Sequence, residues 1–344
     1  MKNLRHCLIS MILGACISGA ALGAPRPAAR AVPAGPAAPD AAAVSDAQRL
    51  FEAGNYPGAI SALQTAAAQM PASGEVYYWL GRSYYELRDY DNAVANAEKS
   101  VSLSPRNSVY HQWLGEAYGG KADVERSFSL ARKVKKEFQA AVNLDGLNVD
   151  ARRDLEEFCL DAPWIVGGSK DEALEQANAI ASVDPVQGHL AHALYDREAL
   201  KNNQQAEIEY EQVLAAKPKK LDPYFEVADY YVSQNRPAGI QLALQAAAAA
   251  SPNDPRLAFY RGVENVLADQ NLPDAEQELK SYIASSPDRS DWPGHASARI
   301  WLGRLYELQG KTPDAAEQYR AALQINPRSK EARERLNKLG NSSQ

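Results

Sequence analysis

Cysteine is scarce in this chain, three among 344 residues, and two of the three, Cys7 and Cys16, fall within the first 22 positions. Cys159 then stands alone in the body of the protein, which excludes an intramolecular disulfide there and leaves stability to apolar packing. At helical spacing from Leu155 and Phe158, Cys159 reads as a small buried hydrophobe rather than a nucleophile. Basic residues are in deficit as well. With Lys2 and Arg5 set aside in the N-terminal segment, 35 remain against 43 acidic ones, a net charge of −8 that argues against nucleic acid as a general partner. Histidine numbers five, and only His189 and His192 share a helix face. Zinc sites need three or four protein ligands, and no further ligand is expected to complete this pair, so no metal and no cofactor is expected. Nucleotide fingerprints are missing too: Gly167-Gly168-Ser169-Lys170 has neither the spacing nor the preceding strand of a phosphate loop. Ser169 and Glu172 read instead as a capping box opening a helix. Nothing in these residues calls for an enzyme.

Long apolar runs are also absent, with one short exception. Lys2 and Arg5 precede an uncharged, largely apolar stretch from Cys7 to Leu22, 16 residues long. That is short for a membrane span and fits a secretory signal. Two endings are open: small residues at Ala21-Leu22-Gly23 would release a mature chain at Ala24, giving a signal of residues 1–23. Alternatively, Leu13-Gly14-Ala15-Cys16 resembles a bacterial lipobox and would make Cys16 a lipidated first residue, the only membrane contact expected. Export to the periplasm or the outer membrane follows from either. Residues 24–43 have the Pro/Ala composition of a semi-rigid tether.

What the chain does have is a period. Prolines at 71, 105, 185, 218, 252, 287 and 327 each close a Leu/Ala-rich helical stretch, at intervals of 34, 80, 33, 34, 35 and 40 residues. Asp145-Gly146 divides the interval of 80 into 41 and 39. Proline cannot continue a helix and biases its predecessor away from the α region, so each mark ends one helical unit and opens the next. Inside the period, Leu80-Gly81, Tyr84 and Ala93 return as Leu302-Gly303, Tyr306 and Ala315, with Tyr319 and Ala322 following. Gly81 and Ala93 would remove bulk where two helices cross, while Leu80 and Tyr84 fill the flanks.

This frame resembles the tetratricopeptide repeat. The resemblance implies an all-α fold, a right-handed superhelical α-solenoid of about eight helix-turn-helix units over residues 44–327. The units fall near 40–73, 74–107, 108–148, 149–186, 187–220, 221–254, 256–289 and 296–327, and residues 328–344 supply a polar capping helix and tail. It also implies a non-catalytic scaffold for a protein or peptide partner held in a groove lined by the first helix of each unit. Projecting the register off the Leu80/Gly81/Tyr84 stripe places Tyr78, Arg82, Tyr85, Gln112, Glu116, Arg153, Glu157, Tyr195, Phe225, Asp229, Tyr260 and Glu264 on that groove. The basic and asparagine clamp of the chaperone-binding branch is not reproduced, since Tyr78, Arg82, Gln112 and Glu116 stand at its places. Two insertions interrupt the frame, at 119–130 and 161–170. They are expected to emerge as neighbouring loops that form a lip, with Trp164, Ile165 and Val166 either tucked under Phe128 and Leu130 or meeting a partner. The run Arg132-Lys133-Val134-Lys135-Lys136 is expected to be a solvated face, the alternative being contact with anionic lipid or an acidic partner, in keeping with a second reading of the chain as a binder of envelope glycan or lipid.

Cleavage ahead of Ala24 without acylation is the expected processing. Intact-mass measurement of the exported protein checks it, and a lipid mass on Cys16 would overturn it.

Overall fold

A computed structural model describes residues 39–341 of the chain. The signal segment, Cys16 and most of the Pro/Ala tether lie outside the described residues. Seventeen helices and no strand occur among those residues, and they fall into two compact units.

The first unit, residues 39–216, holds ten helices in five antiparallel pairs: α1 (Pro39–Glu52) with α2 (Tyr56–Gln69), α3 (Gly74–Glu86) with α4 (Tyr90–Leu103), α5 (Ser108–Glu125) with α6 (Phe128–Leu144), α7 (Val149–Asp161) with α8 (Lys170–Val183), and α9 (Pro185–Glu198) with α10 (Asn203–Ala215). The second unit, from residue 217, holds α11 (Asp222–Ser233) with α12 (Pro237–Ala250), α13 (Arg256–Ala268) with α14 (Leu272–Ser285), α15 (His295–Leu308) with α16 (Thr312–Ile325), and a last helix α17 (Lys330–Asn341). In each unit a pair packs on the next, as an α-solenoid requires. The first helix begins at Pro39, inside the stretch assigned to the tether. Proline suits the first helical position and Ala41 to Ala43 are strong helix formers, so the helix takes them.

Capping differs between the units. In the first, the side chains of Asn55, Ser73, Asp89, Asn107, Ser127, Asn148, Ser169, Asp184 and Asn202 each accept a bond from a backbone amide of the helix that follows. Each satisfies a donor that the helix cannot, worth about 1 kcal/mol. In the second, α11, α12, α14 and α16 rely on a proline in the first turn, whose missing N–H needs no partner. The turn within a pair passes through the left-handed region. Gly54 and Gly310 occupy it at either end of the array, and Arg88, Arg126, Lys201 and Asn235 do so between them.

The crossing of each pair is as close as the glycines allow. A Cβ on Gly81 would stand 3.2 Å from the carbonyl oxygen of Ala93, and one on Gly115 would stand 2.5 Å from the Phe138 ring. Between pairs, Gly188 in the first turn of α9 would place a Cβ 2.4 Å from the Cα of Ala181 on α8, backbone that cannot swing aside. Phe138, Tyr210, Tyr282 and Tyr319, each on the second helix of its pair, are all fully buried, and the rings of Phe138 and Tyr319 lie against Gly115 and Gly303.

The stretch 119–130 is not a loop. It lengthens α5 to 18 residues and α6 to 17, against 13 and 14 for the preceding pair. Gly120 stays helical because the Tyr85 and Tyr90 rings lie against it, where a Cβ would come within 2.4 Å of Tyr90. The stretch 161–170 forms a short 3-10 turn over Trp164–Val166, closed by Gly167 at φ 111°. Ser169 caps α8 by accepting from the Glu172 amide, but Glu172 does not complete the box: its carboxylate pairs with Lys135, and the Ser169 amide donates to the Cys159 carbonyl. The polar cap is α17, where Ala332 is buried and Arg335 reaches back to Glu307 at 3.3 Å.

Replacing Gly188 by alanine is expected to lower unfolding stability by about 1–3 kcal/mol, the usual cost of overpacking a filled crossing. Denaturant titration of the variant checks it.

Candidate partner-binding surface

The first helices of the pairs carry the side chains projected onto the groove, and most of those side chains are covered. Tyr78 (3% exposed) and Tyr85 (4%) sit in the apolar layer between α3 and α5, Tyr78 stacked on Tyr110 at 5.2 Å and edge-on to Trp113. In the second unit Phe225 and Tyr260 are both fully buried and stacked on one another at 5.2 Å. The Tyr260 hydroxyl donates to Asp229 at 2.8 Å. These rings join one repeat to the next and offer no surface to a partner. Gln112, Tyr195 and Glu264 are half-buried.

In α7 the departure from expectation is greatest. Arg153, Asp154, Glu156 and Glu157 are all nearly fully buried, because α7 is flanked by α5, α6, α8 and α9. Glu116 on α5 is buried with them. Gln112 donates to Asp154 at 2.7 Å, and Arg153 stands 3.9 Å from Glu157. Burial, then the Glu116 carboxylate beside it, pushes the Asp154 carboxyl well above the ordinary carboxylate range. What reads from the sequence as a charged, groove-facing helix is a packed polar layer. The signal that could have revealed it is the crowding of α7 by longer neighbours on both sides.

Arg82 is the exception among the projected residues. It is half-buried on α3, and its guanidinium lies within 4.4 Å of the Trp113 ring centre, 4.6 Å of Phe51, 4.7 Å of Trp79 and 5.7 Å of Tyr78. Each ring face attracts the cation by about 0.5–2 kcal/mol. Its hydrogen-bond partner is the Tyr78 hydroxyl at 3.4 Å, Nε is buried with none, and no carboxylate among the described residues is within ion-pair distance. Beside it, Tyr78, Gly81, Tyr85, Ser100, Tyr110 and Trp113 enclose a cavity of about 10 Å³, room for about one water. Sequence projection named Arg82, Tyr78 and Tyr85, but Phe51, Trp79, Tyr110 and Trp113, which build the aromatic frame, were missed.

The turn at 161–170 splits the three apolar residues assigned to the lip. Val166 is buried, while Ile165 is 49% and Trp164 84% exposed, so those two are not tucked away. Phe128 is exposed as well. The basic run is only partly solvated: Val134 is core, and Lys135 donates to the Gly167 carbonyl at 2.7 Å and pairs with Glu172 at 2.6 Å. Cys159 is buried, which pushes its thiol up to about 12 and leaves it without thiolate character near neutrality. His189 bonds Glu209 at 2.7 Å and Asp196 lies one turn beyond His192, yet no group of three or more such side chains among the described residues is placed to hold a metal.

Asp154→Asn is expected to stabilise the fold at neutral pH while keeping the bond from Gln112. A carboxyl whose folded pKa is raised holds its proton more tightly when folded, so it contributes stability at low pH that is lost as pH rises through the unfolded value toward the folded one. The gain in Tm from the substitution should therefore vanish in acid, and thermal melts across pH check it.

Residues 46–108 and 267–330 match the family model of the tetratricopeptide repeat. No curated protein matches the chain. Among solved structures it is similar to a tetratricopeptide repeat protein from Parabacteroides merdae ATCC 43184, at 15% identity over 77% of this chain and 98% of that one, with a TM-score of 0.47. It is similar also to a chain of the APC/C hetero-tetramer Cut9-Hcn1, at 13% identity over 86% of this chain and TM-score 0.48, and it spans only 55% of that chain. The MamA protein gives 18% identity over 51% of this chain and 90% of that one, with a TM-score of 0.39. Residues 46–108 and 267–330 therefore resemble tetratricopeptide repeats at both ends of an array of close helix pairs, and the described residues have the fold of an α-solenoid.

Proposed function

We propose that this protein is a non-catalytic scaffold of the bacterial cell envelope that captures a protein or peptide partner on the first-helix face of its N-terminal unit, with Arg82 as the anchor. Tetratricopeptide repeats typically serve protein–protein interaction, which sets the class of activity. Export is supported by Lys2 and Arg5 followed by the 16-residue apolar run.

The observation that carries the reading is a half-buried guanidinium framed by four aromatic rings and lacking an acid. A cation so placed has lost part of its hydration without gaining a counter-charge, so an incoming carboxylate recovers more there than on an open surface. Arginine and tryptophan are also the side chains on which interface energies concentrate. The partner segment is therefore one that brings an Asp or Glu side chain, or a chain terminus, to Arg82, with apolar neighbours for the surrounding rings. The chain uses one cation here instead of a clamp of several.

Selection of displayed peptides on the purified protein is expected to enrich acidic residues beside apolar ones. Arg82→Ala should remove the acidic enrichment and weaken the selected peptides at least about ten-fold, the loss of one charge-assisted contact. Unchanged selection by the alanine variant would place the binding face elsewhere.

A further inference from the structure

Three consecutive within-pair turns of the first unit are tied together along one edge. Arg132 on α6 donates to the Ile165 carbonyl at 3.3 Å, and Lys135 donates to that of Gly167 at 2.7 Å. One repeat further, Lys170 at the start of α8 donates to the Ala199 carbonyl at the end of α9, also at 2.7 Å. What this edge turns to solvent is apolar. Trp164 is 84% exposed, Leu200 56%, Ile165 49% and Phe128 43%, and Phe128 lies one helical turn from Arg132 on the same face of α6.

The display is held rigidly. Val166 anchors the 3-10 turn in the core, and Gly167 takes a left-handed conformation against the Lys135 stem. A Cβ on Gly168 would collide with the Ala162 carbonyl, so the backbone passes where only glycine fits. Exposing a tryptophan to this degree forgoes apolar burial worth about 2–3 kcal/mol. The turn is built to keep it outside.

Charge distinguishes the possible occupants. Arg126, Arg132 and Lys136 are exposed around these residues, and none has a carboxylate partner among the described residues. The acids on the same edge are mostly engaged: Glu125 with Lys121, Glu172 with Lys135, Glu198 with Arg197 and Lys201, while Asp171 is open and Asp123 and Asp161 have interactions of their own. The apolar residues stand proud of the surface instead of lining a cleft, so they lack the side walls that hold an extended peptide. A plane that yields to a protruding ring and carries negative charge suits them.

We propose that this edge docks on an anionic lipid surface, with Trp164 and Ile165 entering the headgroup region and Arg126, Arg132 and Lys136 meeting lipid phosphates. Tryptophan settles at membrane–water interfaces by its amphipathic ring, and juxtamembrane cations add to the attraction. The site is separate from the Arg82 face, so either can fail without the other.

Sedimentation of the full chain with phosphatidylcholine vesicles, with and without phosphatidylglycerol, tests it. Binding is expected to the mixed vesicles alone and to weaken with salt. Trp164→Ala with Ile165→Ser should reduce it at least about ten-fold by loss of apolar burial. Arg126→Gln with Lys136→Gln should reduce it about thirty-fold, from about 1 kcal/mol for each cation. Trp164→Phe should keep most of the binding but abolish the blue shift of tryptophan emission. All four positions are exposed, and circular dichroism should find every variant folded. Equal binding to neutral vesicles would overturn the proposal. So would binding by the N-terminal apolar run, which the Trp164/Ile165 variant would leave intact. A concentration-dependent dimer lost in that variant would overturn it in favour of self-association.

Discussion

The constraint on which the rest depends is the distance between the two helices of a pair. Gly81, Gly115, Gly262 and Gly303 stand at the same point of the frame, and at each a Cβ would meet the partner helix at 3.2 Å or less. The space each glycine leaves is taken from the second helix: the Phe138 ring lies against Gly115 and the Tyr319 ring against Gly303, and both are fully buried, as are Tyr210 and Tyr282. Apolar faces remain that a pair cannot bury alone, and the following pair covers them. The closeness of the crossing therefore dictates both the stacking and which residues it hides.

Two arginines show what stacking does to polar groups. Arg256, on α13, lies over the Phe225 ring at 4.3 Å and the Trp292 ring at 5.2 Å, and carboxylates of Asp222 and Asp254 neutralise it at 2.6 and 2.9 Å. Burial acts against its charge, but the two acids outweigh that and hold the guanidinium charged. Arg82 has the aromatic half of that arrangement without the acidic half. One is a closed structural contact joining α11, α13 and the segment before α15. The other keeps an open valence, and this difference, more than exposure alone, separates a candidate anchor from a structural residue.

The proline period and the small-residue frame made the helix pairs legible in the sequence, since both report local geometry. Coverage by neighbours was not legible. Phe225, Tyr260, Arg153 and Glu157 have the right helical register for a groove, and register cannot say that the next first helix lies on top of them. The stretch 119–130 was misread for a related reason. Gly119-Gly120 resembles a turn in isolation, but the tyrosine rings of the preceding pair make small helical residues the better fit. Trp164 was found by its apolar neighbours in a loop, while its exposure follows from glycine-directed backbone geometry that composition does not encode.

Lengthening α5 and α6 has a further consequence. Five extra residues at about 1.5 Å each carry their connecting turn about 7 Å beyond that of the preceding pair. The 164–166 turn packs against α6, and Arg132 and Lys135 on that helix hold its carbonyls. A longer helix pair supplies the support and the charge, and its neighbour supplies the apolar tip.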